Sequence, residues 1–239
     1  MFENKFNYGD VENLNVFYSY VYWDRKFLIG VIIIQNNIDQ IHIDYYNSKL
    51  WSTSQWLGYP ILKYPSDLFI YQEIIYEIQP DIIIETGTFC GGSALFLCSM
   101  LDLINKGTVL SIDINPQPNL PTHKRLSYLE ASSTSDLTIQ TVRNKILPGQ
   151  TVLVILDSNH QKHHVLNELQ IYRYFVTPGS YLIVEDTNIN GHPVFPEFGP
   201  GPMEAVEEFL KDNNDFIIDE SRYKYLISFN PKGYLKKIV

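Results

Sequence analysis

Two short segments of the chain concentrate the side chains best suited to cation binding and proton transfer. Leu156-Asp-Ser-Asn-His160 carries Asp157 and His160, and Val184-Glu-Asp-Thr-Asn188 carries the adjacent acids Glu185 and Asp186. Three carboxylates brought into one crevice repel one another unless a cation or a proton relieves the charge. Mg²⁺ takes oxygen ligands and keeps several waters, which leaves coordination positions for a substrate's oxygens, so Asp157, Glu185 and Asp186 form a candidate metal set. Imidazole titrates near neutrality, and His160, three residues beyond Asp157, is a candidate general base for a hydroxyl nucleophile. A competing reading joins His160 to His164 and Glu168 as a transition-metal site; the zinc-protease pattern H-E-x-x-H is absent, because Gln161 follows His160.

A second constellation is Glu85-Thr-Gly-Thr-Phe-Cys-Gly-Gly-Ser93. Gly87 and Gly91 permit a tight turn close to a ligand, and Gly92 with Ser93 opens a helix that Ser93 can cap. The glycine spacing is not the G-x-G-x-x-G of dinucleotide dehydrogenases. Glu85 would repel a pyrophosphate and suits a ligand with a cationic amino group, as in S-adenosylmethionine. Asp113, in Ser111-Ile-Asp113, can accept both hydroxyls of a ribose. Ser132, Ser133, Thr134 and Asp136 offer hydroxyls and a carboxylate for an adenine, or a helix cap. The candidate cofactor set is therefore Glu85, Gly87, Thr88, Gly91, Ser93, Asp113, Ser133, Asp136 and Asp157.

These residues fall where an α/β fold would place them. From residue 81 onward, short β-rich runs alternate with helical patterns, the signature of a mainly parallel sheet. Strands are expected at Asp81–Glu85, Thr108–Ile112, Leu126–Ala131, Thr151–Leu156 and Tyr181–Glu185, and helices at 93–105, 137–146, 165–175 and 203–212. Phe216–Asp219 and Tyr225–Phe229 are expected to pair as a closing antiparallel hairpin. The result is a Rossmann-like, doubly wound, seven-stranded α/β sheet, with its ligands beyond the carboxyl ends of the strands. Residues 67–239 form this domain, beginning with a helix at Asp67–Ile78, and residues 1–66 form an N-terminal extension. There, Phe27–Ile34 and Ile38–Tyr45 flank Gln35-Asn-Asn37 as a hairpin, or the first run begins a buried helix. Thr187–Pro202 holds four prolines and three glycines and is expected to be an irregular loop covering an acceptor.

Composition narrows the function. Eighteen Lys and Arg against 27 Asp and Glu give a net charge of −9, which a phosphate backbone would repel, so nucleic acid is not an expected partner. The longest apolar run, Phe27–Ile34, is too short to span a bilayer, and residues 1–7 do not read as a secretory signal. With only Cys90 and Cys98, a disulfide framework is not expected and a cytoplasmic location is. The aromatic and β-branched N-terminal third is expected to support a homo-oligomer.

Together, Pro80–Ser93, Leu156–His160, Gly179–Asn188 and the Gly199-Pro-Gly-Pro202 loop resemble the cephalosporin hydroxylase family, from about residue 50 to the C-terminus. That family is similar in fold to S-adenosylmethionine-dependent O-methyltransferases. The resemblance implies a class I methyltransferase sheet, S-adenosylmethionine held by the glycine loop and Asp113, and Mg²⁺ on Asp157, Glu185 and Asp186. The arrangement is also similar to catechol O-methyltransferase, in which a basic residue stands where His160 stands here. Cys90, where the family often has Arg or another polar residue, and Lys162 depart from the pattern. The expected function is Mg²⁺-dependent methylation of a small-molecule hydroxyl on a natural product, catechol or sugar. The alternatives are an NAD-linked oxidoreductase, disfavoured by Glu85 and the glycine spacing, and a non-catalytic adenosyl-ligand binding protein.

Overall fold

In the computed structural model, residues 25–239 are described, with side-chain environments from residue 34 onward. They fall into two units divided between Ile41 and His42. The sheet-bearing unit thus takes in residues 42–66, which the sequence assigned to the extension. Of the two readings left open for this region, hairpin or helix, the structure has the helix: α1 (Arg25–Ser48) runs through both segments. Gln35-Asn36-Asn37 has no glycine to force a turn, and along the last turns the shielded positions His42, Tyr45 and Tyr46 recur at helical spacing. Residues 1–24, and with them part of the expected self-association surface, lie outside the described residues.

A two-residue ladder, β1 (Gln55–Trp56) with β2 (Tyr59–Pro60), turns at Leu57 and Gly58, both at positive φ. Helix α2 (Pro65–Ile78) starts with Pro65, whose missing N–H costs nothing in the first turn. Then follow β3 (Ile82–Thr86), α3 (Gly92–Leu103), β4 (Thr108–Asp113), β5 (Leu126–Glu130), α4 (Asp136–Lys145), β6 (Val152–Leu156), α5 (Lys162–Tyr172), β7 (Tyr181–Val184), α6 (Pro202–Lys211), β8 (Phe216–Ile218) and β9 (Tyr234–Lys237).

The seven-stranded sheet runs β5-β4-β3-β6-β7-β9-β8, parallel except for β9, which is antiparallel to both neighbours. Its order reverses between β3 and β6, which opens the crevice used by doubly wound folds. Alternation along the strands divides the core. Ile82, Ile84, Val152 and Val154 pack towards Val142, Leu169 and Phe209, while Ile83, Leu153 and Ile155 pack towards Ile70, Ile74 and Leu97. Both faces are covered, as their unbroken apolar sequences require. The expected α/β fold class is borne out.

The last strand lies later than expected, at Tyr234–Lys237 rather than Tyr225–Phe229. Burial of polar groups explains the shift. The fully buried Asp67 carboxylate accepts from Ser228 Oγ at 2.6 Å, the Phe229 N–H at 2.8 Å and Tyr234 Oη at 2.9 Å, which fastens Ser228 and Phe229 to the start of α2. Gly233 then enters the sheet where a Cβ would stand 2.1 Å from the Val184 carbonyl oxygen, so a side chain there would collide with β7. Among the described residues, no helix is long and apolar enough to cross a membrane.

Candidate active site

The loop after β3 is built around its glycines. Gly87 has φ +89°, and a Cβ on it would lie 1.8 Å from the Asp157 carbonyl oxygen, so only glycine lets this loop close against the end of β6. Gly91, at φ +75°, is the N-cap of α3, the place the sequence offered to Ser93. Ser93 instead donates to Glu85, as does Ser111 Oγ at 2.7 Å. Glu85 is completely buried, and burial pushes its carboxyl up to about 7 against the opposing charge of Lys63. It lines neither cavity described below and so braces the loop from behind.

Asp113, at the end of β4, accepts from the N–H groups of Thr88 at 2.8 Å, Phe89 at 2.9 Å and Asn115 at 2.8 Å. These bonds fix the loop in a cleft of about 500 Å³ bounded by Gly87, Asp113, Ser133 and Asp157 of the expected cofactor set. Thr88, Gly91, Ser93 and Asp136 do not line it. Thr88 hydrogen-bonds Ser111, and Asp136 begins α4 behind the Ser135 cap. Ser158 and His164 do line it, joined at 3.2 Å, and Ser158 donates to the buried Glu168 at 2.7 Å. His164 thus lines the cleft, with the buried Glu168 behind it, and neither is among the residues whose ligand atoms converge with His160.

A second cavity, of about 410 Å³, adjoins the first and shares Gly87, Phe89, Asp157 and Ser158 with it. One wall is aromatic. Trp51 stacks on Tyr46 with ring centroids 5.6 Å apart and meets Phe229 edge-on at 5.9 Å. Phe195 and Phe198 come from the loop between β7 and α6. That loop is irregular, as expected, but firmly tied. Glu204 accepts from Asn190 at 2.9 Å and from the Gly201 N–H at 2.6 Å, and pairs with His192 at 2.8 Å. Burial pulls its carboxyl upward, yet these bonds hold it down at about 2.

At the floor stand Asp157, His160 and Asp186. One ligand atom from each lies within 4.8 Å of the others, and His160 Nε2 is 3.2 Å from Asp186 Oδ2. Asp186 holds φ +54°, a left-handed conformation that Asp tolerates better than most residues and that reflects local strain. Burial raises its carboxyl above the usual range, against the pull of His160. Two carboxylates and an imidazole, each partly open, fit a divalent cation with coordination positions to spare.

Glu185, the third acid of the expected metal set, is not among the three residues whose ligand atoms converge but lies beside them, joined to Asp157 through Lys63. Its Oε1 accepts from Tyr71 Oη at 2.7 Å and lies 2.6 Å from Lys63 Nζ, which also contacts Asp157 Oδ2 at 2.5 Å. Burial, together with the Asp157 charge, raises Glu185 well above the usual carboxylate range, with Lys63 opposing. Tyr46, Trp51 and Lys63 lie in the N-terminal extension, expected as a segment for oligomer contacts and pocket lining, but like Phe229 they were not singled out as site residues, because no motif connects their segments to the strand ends.

Sheet order, a glycine loop at the strand-order reversal and adjoining cavities beyond the strand ends define a doubly wound α/β protein with a ligand crevice. The chain belongs to the family described as Rhamnosyl O-methyltransferase/CmcI, whose profile matches residues 48–238. It is 37% identical over 204 residues to the Rhamnosyl O-methyltransferase of Mycobacterium leprae (strain TN), covering 82% of this chain and 89% of that protein. With the Rhamnosyl O-methyltransferase of Mycobacterium tuberculosis (strain ATCC 25618 / H37Rv) it shares 38% identity over 206 residues, covering 82% and 83%. Among solved structures it is similar to CmcI in an apo-structure, with a TM-score of 0.62 and 19% identity over 79% of this chain and 77% of that one. A CmcI structure with Mg and SAM gives the same TM-score and identity, over 79% and 78%.

Proposed function

We propose that this protein transfers the methyl group of S-adenosylmethionine to a hydroxyl of a sugar-bearing small molecule, with a divalent cation at the acceptor. The observation that carries this reading is the meeting of the two cavities at Gly87, Phe89, Asp157 and Ser158. A nucleoside cofactor beside Asp113 and an acceptor beside the aromatic wall would face each other across the Asp157–His160–Asp186 floor. The rhamnosyl O-methyltransferase relatives support a sugar acceptor, as does the cavity chemistry: aromatic rings cover apolar sugar faces, and carboxylates accept from hydroxyls.

Asp113 presents carboxylate oxygens to the ribose, and Ser133 lines the same cleft. Phe89 and the aromatic wall exclude water from the acceptor side, so that transfer relies on positioning for an in-line displacement. His160 takes the acceptor's proton at Nε2, and Asp186, in contact with that nitrogen, stabilises the imidazolium that results. A divalent ion held by Asp157 and Asp186 would supply positive charge that lowers the acceptor hydroxyl's pKa.

Calorimetry with S-adenosylhomocysteine and NAD, followed by mass spectrometry of a rhamnoside incubated with S-adenosylmethionine and Mg²⁺, tests this. Micromolar binding of the adenosyl compound and a gain of one methyl group are expected, and His160→Gln should lower kcat by about 10²–10⁴-fold with cofactor affinity unchanged. Binding of NAD alone would reverse the cofactor assignment, and full activity in His160→Gln would remove the proposed base.

A further inference from the structure

Lys63 is the feature of the acidic cluster that neither motif nor spacing announced. Its side chain is 4% exposed, yet its ammonium sits between two carboxylates from different strand ends, 2.5 Å from Asp157 and 2.6 Å from Glu185. Among the described residues it is the one lysine or arginine paired with Asp157, Glu185 or Asp186. A buried carboxylate stripped of its partner is strongly destabilising, and here one ammonium serves the buried Glu185 as well as the partly open Asp157. The contacts are also divided: Glu185 is taken up by Lys63 and Tyr71, whereas Asp157 is shared between Lys63 and the Asp157–His160–Asp186 group.

We propose that Lys63 is a built-in counter-cation of the metal site: it holds Asp157 and Glu185 in place before any ion arrives, and by sharing Asp157 it weakens the site's affinity for a divalent cation. The proposal rests on the reading that Asp157 and Asp186 bind such a cation. It makes Lys63 a positioning residue with two effects of opposite sign. Without an ion it stabilises the protein, and in the presence of an ion it opposes binding. A lysine of purely structural value would show only the first.

The test is manganese binding to the full chain, followed by calorimetry, together with thermal melting in chelator. Lys63→Met should melt about 10 °C below the wild type in chelator. It should nevertheless bind Mn²⁺ at least tenfold more tightly, since a positive charge within a few ångströms of the ion is gone. Lys63→Arg, which keeps the charge, should retain an affinity near that of the wild type. A second measurement needs no variant: Mn²⁺ should raise the rate at which a water-soluble acylating reagent modifies Lys63 in the wild type, read by peptide mass spectrometry, because the ion draws Asp157 away from the ammonium. If the wild type binds Mn²⁺ but Lys63→Met binds it no more tightly, or if Lys63 labelling ignores the ion, the counter-cation role is overturned. If neither protein binds Mn²⁺, the cation reading falls and this proposal falls with it.

Discussion

The two cavities that meet at Gly87 are made in different ways. The Asp113 side is built from strand ends and the first residues after them, and its shape is fixed largely by main-chain groups: three N–H donors converge on one carboxylate, and a glycine lies against a carbonyl. The aromatic side is assembled from Tyr46, Trp51, Phe195, Phe198 and Phe229, which come from four separate segments and are held by ring contacts and by distant carboxylates. Main-chain construction leaves little freedom to vary and suits a part common to many acceptors. Side-chain construction lets the acceptor pocket change without disturbing the sheet. Substitutions on the first side should therefore damage folding and cofactor binding together, while substitutions on the second should act on the acceptor alone.

The largest expected effect is at Gly87. An added methyl group would have to occupy space 1.8 Å from the Asp157 carbonyl oxygen at a φ that alanine disfavours, and neither backbone segment can yield without moving the end of β6. Gly87→Ala should lose more than about 3 kcal/mol of stability. Cofactor and acceptor binding should fail together, as calorimetry on whatever folded protein can be recovered would show. A stable Gly87→Ala protein with normal cofactor affinity would break the contrast on its main-chain side.

Phe195 tests the other side. It is 45% exposed at the cavity, so its removal leaves the core intact. Phe195→Ala should raise the acceptor KM by about tenfold, the effect of one lost aromatic contact of roughly 1.4 kcal/mol, with cofactor affinity and melting temperature nearly unchanged. Parallel losses for both ligands would show that the cavities are a single unit.

The same contrast explains what the sequence revealed. The parallel strands and the Asp113 side were legible because continuous apolar runs and the residues just after them lie close together in the chain. Gly87, Asp113, Asp157, His160 and Asp186 were all named, with the positions they occupy. The acidity of Glu85 is visible in sequence, but its burial and its bonds from Ser93 and Ser111 are not. Glu185 was named beside Asp186, but its contacts with Lys63 and Tyr71 are tertiary and had no trace in the sequence. Before residue 46 the sequence left hairpin and helix open, and the structure has helix α1; the last strand expected at Tyr225–Phe229 followed β-branched and aromatic content. The pull of the buried Asp67 on Ser228 and Phe229 outweighed it.

The smallest and most specific effect is expected at Glu204, which ties the loop carrying Phe195 and Phe198 to the start of α6. Its folded-state carboxyl is held at about 2, below the usual 4.5, so its contribution to stability is complete above about pH 4.5 and is lost as the pH falls towards 2. Its side chain is 25% exposed, and with solvent screening the contribution is roughly 1–2 kcal/mol. Glu204→Gln keeps the shape but gives up the charge that receives Asn190, His192 and the Gly201 N–H. The variant should therefore be less stable than the wild type by that amount at pH 7, and the two denaturation midpoints should converge as the pH approaches 2. Because the loop reaches only the acceptor cavity, its loosening should raise the acceptor KM two- to threefold and leave cofactor affinity unaltered. A stability difference that persists undiminished at pH 2 would show that the carboxylate's charge is not what holds the loop.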